Sequence, residues 1–428
     1  MARRRLAGRS SRFRPKVDVP EAGILVQLLV PRELTPGERR VAATPETARR
    51  LGSRGVALLI EAGAGLASGF ADDDYRAAGA EVLDPNALPW GSVDGVLCVN
   101  PPPLALLGQL REAALLMGLL APYGARELEE VLRERRTSAI AMELLPRISR
   151  AQSMDVLSSQ ANIAGYKAVL LAAAALDRYL PMLMTAAGTI QPARVLILGA
   201  GVAGLQALAT ARRLGAVVYV SDVRPAVREQ VESLGGRFVD PPSLEEAPGE
   251  KGGYASQASE AFLAAQRQQL ADQLALADIV ICTAQVPGRP APRLISEVML
   301  DGMRPGSVVV DLAVAQGGNC HGTVPGQTVE RNGVRLIGAS DLPSSVPNHA
   351  SALYARNLAA LIEHLISAEE PRSFGIDPQD PILEGCLFSH AGNCLRRDVL
   401  GDPAEPPTAA APSPNPAPSE PALAARPR

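Results

Sequence analysis

The chain has 428 residues, with 42 lysines and arginines against 45 aspartates and glutamates and a formal net charge of -3. This balance disfavours a nucleic-acid-binding protein, which needs a basic surface. With 47% apolar and 20% charged residues, most of the chain can bury a hydrophobic core. No run of 18 apolar residues occurs, so we predict no membrane-spanning helix. The five cysteines are scattered and lack CxxC spacing, which favours a reducing compartment over a secreted disulfide framework.

The first third of the chain alternates between strand-like and helix-like segments. Runs rich in Val and Leu predict buried parallel strands. An N-cap residue, a proline and an early acid in succession predict a helix start. In chain order we predict a strand ending at Pro31, a helix from Thr44-Pro45-Glu46 to Gly52 or Gly55, a strand over 56–63, a helix starting over 71–74 and a strand over 93–99. This is the rhythm of β-α-β units.

A long helix rich in Ala and Leu is predicted from Ser153 to Tyr179, with Pro181 ending it. Its length suits a connector between two domains. Strands and helices again alternate beyond it, which predicts a second parallel sheet. The predicted elements are a strand, glycine turn, helix and strand over 193–224, strands over 277–284, 307–313 and 334–340, and a helix over 351–366 that crosses back to the first domain.

A glycine-rich turn, GAGVAG over 199–204, follows a predicted strand and opens a predicted helix. In such a turn the first glycine permits the tight bend, the second lets the backbone approach a pyrophosphate, and the third lets helix and strand pack closely. The helix N-terminus adds positive potential. The alternative is a glycine turn that binds nothing. We predict dinucleotide contacts at Gly199, Gly201, Val202, Ala203 and Gly204.

An acidic residue, Asp222, ends the next strand, where dinucleotide-binding domains hold a ribose. Its carboxylate can accept hydrogen bonds from both ribose hydroxyls and would repel a 2′-phosphate, which predicts NAD over NADP. Arg224 complicates this choice, because a nearby arginine can accommodate a phosphate. We predict that Asp222, Val223 and Arg224 all contact the cofactor.

Together these patterns predict an α/β fold of two Rossmann-like, doubly wound parallel-sheet domains that flank a cleft and are joined by long helices. The basic start of the chain shares its composition with transit peptides, so a targeting role is an alternative to simple disorder there. The predicted organisation is a disordered basic extension over 1–20, an N-terminal α/β domain over 21–150 completed by 350–400, an NAD-binding Rossmann domain over 151–349, and a disordered Pro/Ala-rich tail over 401–428.

A second group of polar residues precedes and opens the long helix, namely Arg147, Gln152, Asp155, Ser158 and Ser159. Gln152, Asp155 and Ser159 are spaced three and four residues apart, so they can share one helix face. These residues alone leave two interpretations open. They form either a functional face or a solvated helix start with Ser153 as its N-cap.

Longer motifs resemble those of a known family. MELLPRISRAQSMDVLSSQANIAGYKAV (142–169), MTAAGTIQPARVLILGAGVAGLQALATARRLGA (184–216) and VDLAVAQGGNC (310–320) resemble the NAD(H)-binding component of proton-translocating NAD(P) transhydrogenase. Shorter matches lie over 30–46, 231–240, 252–256 and 283–292. Motifs of this length, spread over about 24–395, are far more specific than a glycine fingerprint.

The resemblance implies roles for the residues around the start of the long helix. Arg147, Asp155 and Ser158 would orient the nicotinamide carboxamide and neighbouring cofactor groups, and Gln152 would lie between two nicotinamides. Direct hydride transfer needs positioning and exclusion of water, and it needs neither a general base nor a metal. These four residues are therefore the predicted catalytic residues, and no metal site is predicted.

The resemblance also implies cofactor contacts beyond the glycine turn. Tyr254 falls on the family's mobile-loop tyrosine, next to Gly253, in a setting that suits a hinged loop. Ala284 lies in the matching run TAQVPGRPAP. We predict that all three residues contact NAD(H).

For partners, the resemblance implies a homodimer, related to alanine dehydrogenase, that presents NADH to an NADP(H)-binding component. A membrane-embedded component would couple hydride transfer to proton translocation. The chain would then be cytoplasmic, held at the inner face of the cytoplasmic membrane through its partner subunits. A Pro/Ala tail stands where many relatives continue into membrane helices, so the resemblance implies a split form of the complex.

Two other functions remain possible for this fold. A soluble amino-acid dehydrogenase of the alanine dehydrogenase type needs a lysine, a histidine and an aspartate, together with an arginine. Of these only the arginine, Arg40, is present; the other positions hold Cys98 or Asn100, Leu120 and Ala315. The third possibility is a regulatory nucleotide-binding protein, which the intact group from Arg147 to Ser158 disfavours.

Overall fold

The structure is a computed structural model that describes residues 26–241, 260–366 and 374–401. Strands and helices alternate along most of these ranges. The predicted extensions over 1–20 and 402–428 lie outside the described residues, as do the predicted contacts Gly253 and Tyr254.

The strands come first in chain order, followed by the helices. The strands are β1 (Val26–Val30), β2 (Val56–Glu61), β3 (Glu81–Leu83), β4 (Gly95–Leu97), β5 (Leu115–Gly118), β6 (Ser138–Ala141), β7 (Leu183–Thr185), β8 (Gly188–Ile190), β9 (Arg194–Leu198), β10 (Val217–Ser221), β11 (Arg237–Phe238), β12 (Ile279–Cys282), β13 (Val308–Asp311), β14 (Thr328–Arg331), β15 (Val334–Gly338), β16 (Leu387–His390) and β17 (Asn393–Cys394). The helices are α1 (Pro45–Gly52), α2 (Asp72–Ala77), α3 (Leu104–Leu107), α4 (Arg126–Glu134), α5 (Val156–Ala175), α6 (Val202–Arg213), α7 (Arg228–Ser233), α8 (Glu260–Leu276), α9 (Glu297–Asp301), α10 (Pro347–Leu365) and α11 (Leu383–Cys386).

Sheet 1 has the strand order β17-β16-β6-β5-β4-β1-β2-β3. The strands from β6 to β3 are parallel, and β16 and β17 add an antiparallel edge from the far end of the chain. Chain order reverses at β1, which lies between β4 and β2. Along β1, Leu28 and Leu29 pack in the hydrophobic clusters on opposite faces. Sheet 1 is therefore buried on both faces, as parallel sheets are.

Sheet 2 has the strand order β11-β10-β9-β12-β13-β15-β14 and is parallel except for β14 at its edge. Chain order reverses at β9, which lies between β10 and β12. Leu196 and Ile197 of β9 pack in clusters on opposite faces. Two doubly wound, Rossmann-like parallel sheets confirm the predicted fold class.

Two long helices link these cores. α5 has 20 residues and is about 30 Å long. Val156, at its start, is buried in the core of sheet 1, whereas Ala168 and Val169 are buried in the core of sheet 2. α10 packs Tyr354 and Leu358 into the core of sheet 1. Across the described ranges, no helix combines the length and hydropathy needed to cross a bilayer.

The connector helix is shorter than predicted. α5 begins at Val156 because Asp155, and not Ser153, is its N-cap: the Asp155 carboxylate accepts the Ser158 N–H at 2.9 Å. The residues before it form a 3₁₀ turn, Ser149–Met154. α10 begins earlier than predicted, at Pro347, since a proline in the first turn of a helix has no N–H to leave unbonded.

Candidate functional site

The glycine-rich turn joins β9 to α6 at the carboxyl edge of sheet 2. Gly199 has φ +106°, and a Cβ on Gly204 would lie 1.9 Å from the Gly199 carbonyl oxygen, so neither position admits a side chain. Around Gly201, the described atoms outside its chain neighbours all lie beyond 4 Å of a Cβ built there. α6 starts at Val202 without a side-chain cap. The turn therefore presents open space and backbone N–H donors, which is what a pyrophosphate requires.

Asp222 lies directly after β10 and is held by two groups of the protein. Its Oδ2 accepts the Ala200 N–H at 2.7 Å and Arg224 Nη2 at 2.9 Å. Its Oδ1 accepts the backbone N–H and Nε of Arg224, each at 2.9 Å. Burial alone would raise the pKa of Asp222, but these hydrogen bonds and the Arg224 charge lower it. A carboxylate has about four acceptor positions, so a ribose can bind Asp222 only after the Arg224 guanidinium turns away.

Thr283 joins the glycine turn to the next strand of sheet 2. It directly follows β12, and its hydroxyl lies 3.1 Å from the carbonyl oxygens of both Leu198 and Gly199. A Cβ on Gly199 would come within 2.6 Å of that hydroxyl oxygen. Thr283 was not predicted from the sequence, although a polar residue directly after a buried strand of a parallel sheet is a signal for a site.

Asn319 holds the loop that contains the predicted contact Ala284. Its side-chain amide accepts the Ala284 N–H at 3.1 Å and donates to the carbonyl oxygens of Ala284 and Pro292 at 2.8 Å. Asn319 is 0% exposed. Because Asn319 uses both backbone groups of Ala284, only the Ala284 methyl remains for a ligand. Asn319 was not predicted from the sequence either, since its partners lie 27 and 35 positions away.

The predicted catalytic residues lie around the start of α5. Asp155 Oδ1 accepts the Ser158 N–H at 2.9 Å, and Asp155 Oδ2 accepts the Ser158 hydroxyl at 2.6 Å. Arg147 and Gln152 are exposed. The structure thus brings Asp155 and Ser158 into direct contact and leaves Arg147 and Gln152 accessible from outside the chain.

The 3₁₀ turn fixes the direction of Gln152. Ala151 and Met154 are buried in the core of sheet 1, whereas Gln152 and Ser153 between them are exposed. A 3₁₀ turn repeats every three residues, so burying positions 151 and 154 turns the two intervening side chains outward. Ser159 does not share this face, contrary to the prediction, because its hydroxyl donates to an asparagine of α10 at 2.8 Å.

The two parts of the candidate site meet where α5 crosses α6. A Cβ on Gly165 of α5 would lie 2.1 Å from the carbonyl oxygen of Ala203, in the first turn of α6. Only glycine permits this approach. The crossing therefore fixes the helix that starts at the Asp155 cap against the helix that starts at the glycine turn.

A buried ion pair occupies the corresponding edge of sheet 1. The side chains of Arg40 and Glu38 lie 2.6 Å apart and are 6% and 3% exposed. Burial would raise the pKa of Glu38, but Arg40 and its hydrogen bonds lower it to about 2. Arg40 also donates to Gln160 of α5 at 3.0 Å, and Ser344, after β15, donates to Glu38. The ion pair therefore joins sheet 1 to segments that pack on sheet 2.

Glu33 fills the edge of sheet 1 where chain order reverses. It accepts the N–H groups of Val99 and Asn100, after β4, at 2.6 and 3.0 Å. Desolvation raises the pKa of Glu33 to about 7, although these hydrogen bonds act in the opposite direction. The carboxylate thus takes backbone donors that a ligand would otherwise use.

The positions that an amino-acid dehydrogenase needs are occupied by groups that cannot serve it. Cys98 is buried in the core, and burial raises the pKa of its thiol well above the usual range. Asn100 donates to two carboxylates of the chain. Leu120 is buried and Ala315 is exposed, and neither carries a titratable group. The structure therefore holds no proton-transfer group at these four positions.

Known proteins share this architecture. The family described as Alanine dehydrogenase/PNT matches through its N-terminal domain over 29–164 and its C-terminal domain over 168–397. An NAD(P) transhydrogenase subunit alpha of Rhodospirillum rubrum is 47% identical over 383 residues, which cover 88% of this chain and 99% of that protein. The crystal structure of transhydrogenase from Sinorhizobium meliloti is similar with a TM-score of 0.77 and 43% identity, covering 86% of this chain and 99% of that one.

A more distant relative has another activity. Alanine dehydrogenase of Bacillus subtilis (strain 168) is 31% identical over 327 residues, which cover 74% of this chain and 80% of that enzyme. The higher identities are to transhydrogenases. The chain therefore belongs to the alanine dehydrogenase/PNT family, among the relatives of NAD(P) transhydrogenase subunit alpha, and is an oxidoreductase.

Proposed function

We propose that this chain is the NAD(H)-binding subunit of a proton-translocating NAD(P) transhydrogenase, in which a hydride passes from NADH to NADP+ on a partner component. The crossing of Gly165 and Ala203 carries the proposal, because it joins an open dinucleotide turn to the helix that Asp155 and Ser158 begin. The identities of 47% and 43% to transhydrogenases, against 31% to an alanine dehydrogenase, support the same function.

The residues at the edge of sheet 2 fit a dinucleotide. The glycine turn has room and N–H donors for a pyrophosphate, and Asp222 has acceptors for a ribose. Asp155 and Ser158 can orient a carboxamide through their oxygen atoms. NADH, when bound, supplies the hydride. The proposed cofactor contacts are Gly199, Gly201, Val202, Ala203, Gly204, Asp222, Val223, Arg224, Gly253, Tyr254 and Ala284.

The exposure of Gln152 and Arg147 supports a transfer between two subunits. A hydride moves directly only when donor and acceptor carbons are held at near-attack distance and water is kept out. Gln152 points out of the chain from a turn that is anchored on both sides by buried residues. We infer that Gln152 lies between the two nicotinamides and that Arg147 lies beside it.

The proposed complex has further components. NADP(H) would bind to a partner component, and a membrane-embedded subunit would couple the transfer to proton translocation. The chain would then be a cytoplasmic, peripheral component at the inner face of the cytoplasmic membrane. For its own organisation we propose a first domain over 21–150 completed by 350–400 and a second over 151–349; the position of β16 and β17 in sheet 1 supports this division.

We propose that the chain forms a homodimer through the hairpin β7–β8. These strands pair with each other and with no other strand among the described residues. Met184 and Ile190 are 74% and 44% exposed, which leaves apolar surface for a second copy to cover. Met184→Glu is expected to convert the dimer to a monomer in light scattering. A variant that stays dimeric would exclude the hairpin from the interface.

The main experiment mixes the purified chain with an NADP-binding component of a family member and follows hydride transfer from NADH to an NADP+ analogue. We expect NADH binding by the chain alone and transfer only in the mixture. Oxidation of alanine with NAD+ by the chain alone would instead support the amino-acid dehydrogenase. No transfer in the mixture would overturn the proposed function.

Gln152→Asn tests the proposed role of this side chain. We expect the rate of hydride transfer to fall by about tenfold while NADH affinity stays within about twofold, because the contact forms only with both cofactors present. Ser153→Ala, an exposed neighbour in the same turn, is the matched control and should transfer at the normal rate. Equal rates for both variants would remove Gln152 from the site.

A further inference from the structure

An asparagine of α10, Asn357, bonds to the segment that carries the proposed catalytic residues. Its Nδ2 donates to the Ser153 carbonyl oxygen at 2.7 Å, and its Oδ1 accepts the Ser159 hydroxyl at 2.8 Å. Ser153 directly follows Gln152, and Ser159 directly follows Ser158. One amide that is only 9% exposed therefore holds the chain on both sides of the helix cap.

The backbone alone holds this junction weakly. Between the 3₁₀ turn and α5, the Asp155 N–H reaches the Gln152 carbonyl oxygen only at 3.4 Å, which is long for a hydrogen bond. A change from 3₁₀ to α geometry interrupts the ladder of backbone bonds. The Ser153 carbonyl is bound by a side chain of α10 instead. The direction of Gln152 thus depends on a contact from another helix.

We propose that Asn357 is a positioning residue for hydride transfer, which holds the 3₁₀ turn and the first turn of α5 so that Gln152 and Ser158 face the cofactors. This inference rests on the proposed function. Asn357 acts through Ser153 and Ser159, and it needs one donor and one acceptor in fixed positions, as an amide supplies.

The surrounding network keeps the amide in place. Gln160 Nε2 lies 3.3 Å from the Ser159 hydroxyl and donates to the Ala350 carbonyl of α10 at 3.1 Å. Gln160 Oε1 accepts Arg40 of the buried ion pair at 3.0 Å. α10 therefore holds the start of α5 at two points, and Asn357 is the one that reaches the turn carrying Gln152.

Asn357→Asp changes the hydrogen-bonding pattern with almost no change in size. The carboxylate still accepts the Ser159 hydroxyl, but it repels the Ser153 carbonyl. In single-turnover experiments with the NADP-binding component and saturating NADH, we expect the rate constant to fall by about tenfold near neutral pH, with NADH affinity within about twofold. A merely structural role would lower the amplitude, because fewer molecules are folded, and would leave the rate constant unchanged.

The pH dependence of this variant gives a second readout. A protonated carboxyl has one O–H donor and one carbonyl acceptor, which reproduces the pattern of the amide. Burial raises the pKa of such a carboxyl, so the ratio of variant to wild-type rate should rise towards one as the pH is lowered. The neighbouring charged groups, Asp155 and Arg40, are present in both proteins, and their effects cancel in this ratio. A constant ratio would overturn the inference.

Asn348→Asp is the matched control on the same helix. Asn348 Nδ2 donates to the Ser68 carbonyl at 2.8 Å, so the substitution damages a similar bond that does not reach α5. We expect a wild-type rate at every pH. If Asn357→Asp does not fold, Ser159→Ala removes one of the two bonds and should slow transfer about threefold; an unchanged rate would overturn the inference.

The outcomes separate this inference from the function on which it rests. Slow transfer by Gln152→Asn with a normal rate for Asn357→Asp would overturn only the positioning role. Absence of transfer from the wild-type mixture would overturn the proposed function itself.

Discussion

The carboxyl edges of the two sheets have the same topology and opposite contents. In sheet 2, the reversal between β9 and β12 is formed by the glycine turn, and its Gly201 faces open space. In sheet 1, the reversal between β1 and β4 is closed by Glu33, which binds the N–H groups of Val99 and Asn100. Ligands of open α/β sheets bind at such reversals. One edge is therefore ready for a ligand and the other is filled by the chain itself.

Other carboxylates continue the pattern in sheet 1. Glu61 accepts the Arg32 N–H after β1 at 2.7 Å, and Glu143 accepts the N–H groups of Leu120 and Ala121 after β5. Side chains of the protein thus occupy the backbone donors at the ends of several strands. The comparison teaches that topology offers the position of a site, while the residues after each strand decide whether a ligand can use it.

The largest expected effect breaks the filled edge. Arg40→Met leaves the buried Glu38 carboxylate without its cation, so the free energy of unfolding should fall by about 3 to 5 kcal/mol. Urea denaturation followed by the fluorescence of Trp90, the single tryptophan, buried in the core of sheet 1, measures this. Arg39→Met, an exposed neighbour, should cost less than about 0.5 kcal/mol. Equal stability of both variants would contradict the role of the ion pair.

The next effect closes the open edge. Gly201→Ala adds a methyl where no described atom outside the adjacent residues lies within 4 Å, so the fold should keep its stability. NADH affinity should fall about a hundredfold, or about 2.7 kcal/mol, because the methyl takes the space of the pyrophosphate. Gly52→Ala, also in open space but at the end of α1, is the control and should bind NADH normally. Titration of NADH fluorescence measures both.

A smaller effect comes from the buried carboxyl of Glu33. Its pKa is raised to about 7 in the folded chain, so this group contributes its stability below pH 4.5 and loses it as the pH rises through about 7. The wild-type chain should therefore lose about 2 to 3 kcal/mol of stability across this range relative to Glu33→Gln. Urea denaturation at a series of pH values measures the difference, and parallel curves would show that Glu33 does not titrate there.

The smallest effect sharpens the ligand-binding edge. Arg224→Ala frees the two acceptor positions of Asp222 that the guanidinium occupies. We expect NADH to bind about threefold tighter, since the ribose no longer displaces the arginine. Binding of NADPH should stay weak, because Asp222 still repels the 2′-phosphate. Weaker NADH binding in calorimetry would mean that Arg224 contacts the cofactor directly.

Local signals predicted much of this molecule. The helix start at Thr44-Pro45 and the glycine turn depend on residues within a few positions of one another. The cap of α5 was predicted wrongly because Ser153 and Asp155 can both cap a helix, and the burial of Ala151 and Met154 decides between them.

The supporting residues of the site could not be predicted for a different reason. Asn357 bonds to a carbonyl 204 positions earlier, and Asn319 bonds to residues 27 and 35 positions away. Neither residue carries a local pattern that distinguishes it from any other amide. Such contacts exist only once distant elements have packed together, so they follow from the fold and not from the neighbouring sequence.

The placement of β16 in sheet 1 has a consequence for the order of assembly during synthesis. Sheet 2 uses a continuous stretch from β9 to β15, so all its strands leave the ribosome before residue 340. Sheet 1 leaves β6 as an unpaired edge until Leu387 emerges, some 250 residues after Ser138. The nascent chain thus carries an exposed, aggregation-prone strand edge for most of its translation, and a chaperone that shields this edge would raise the yield of folded protein.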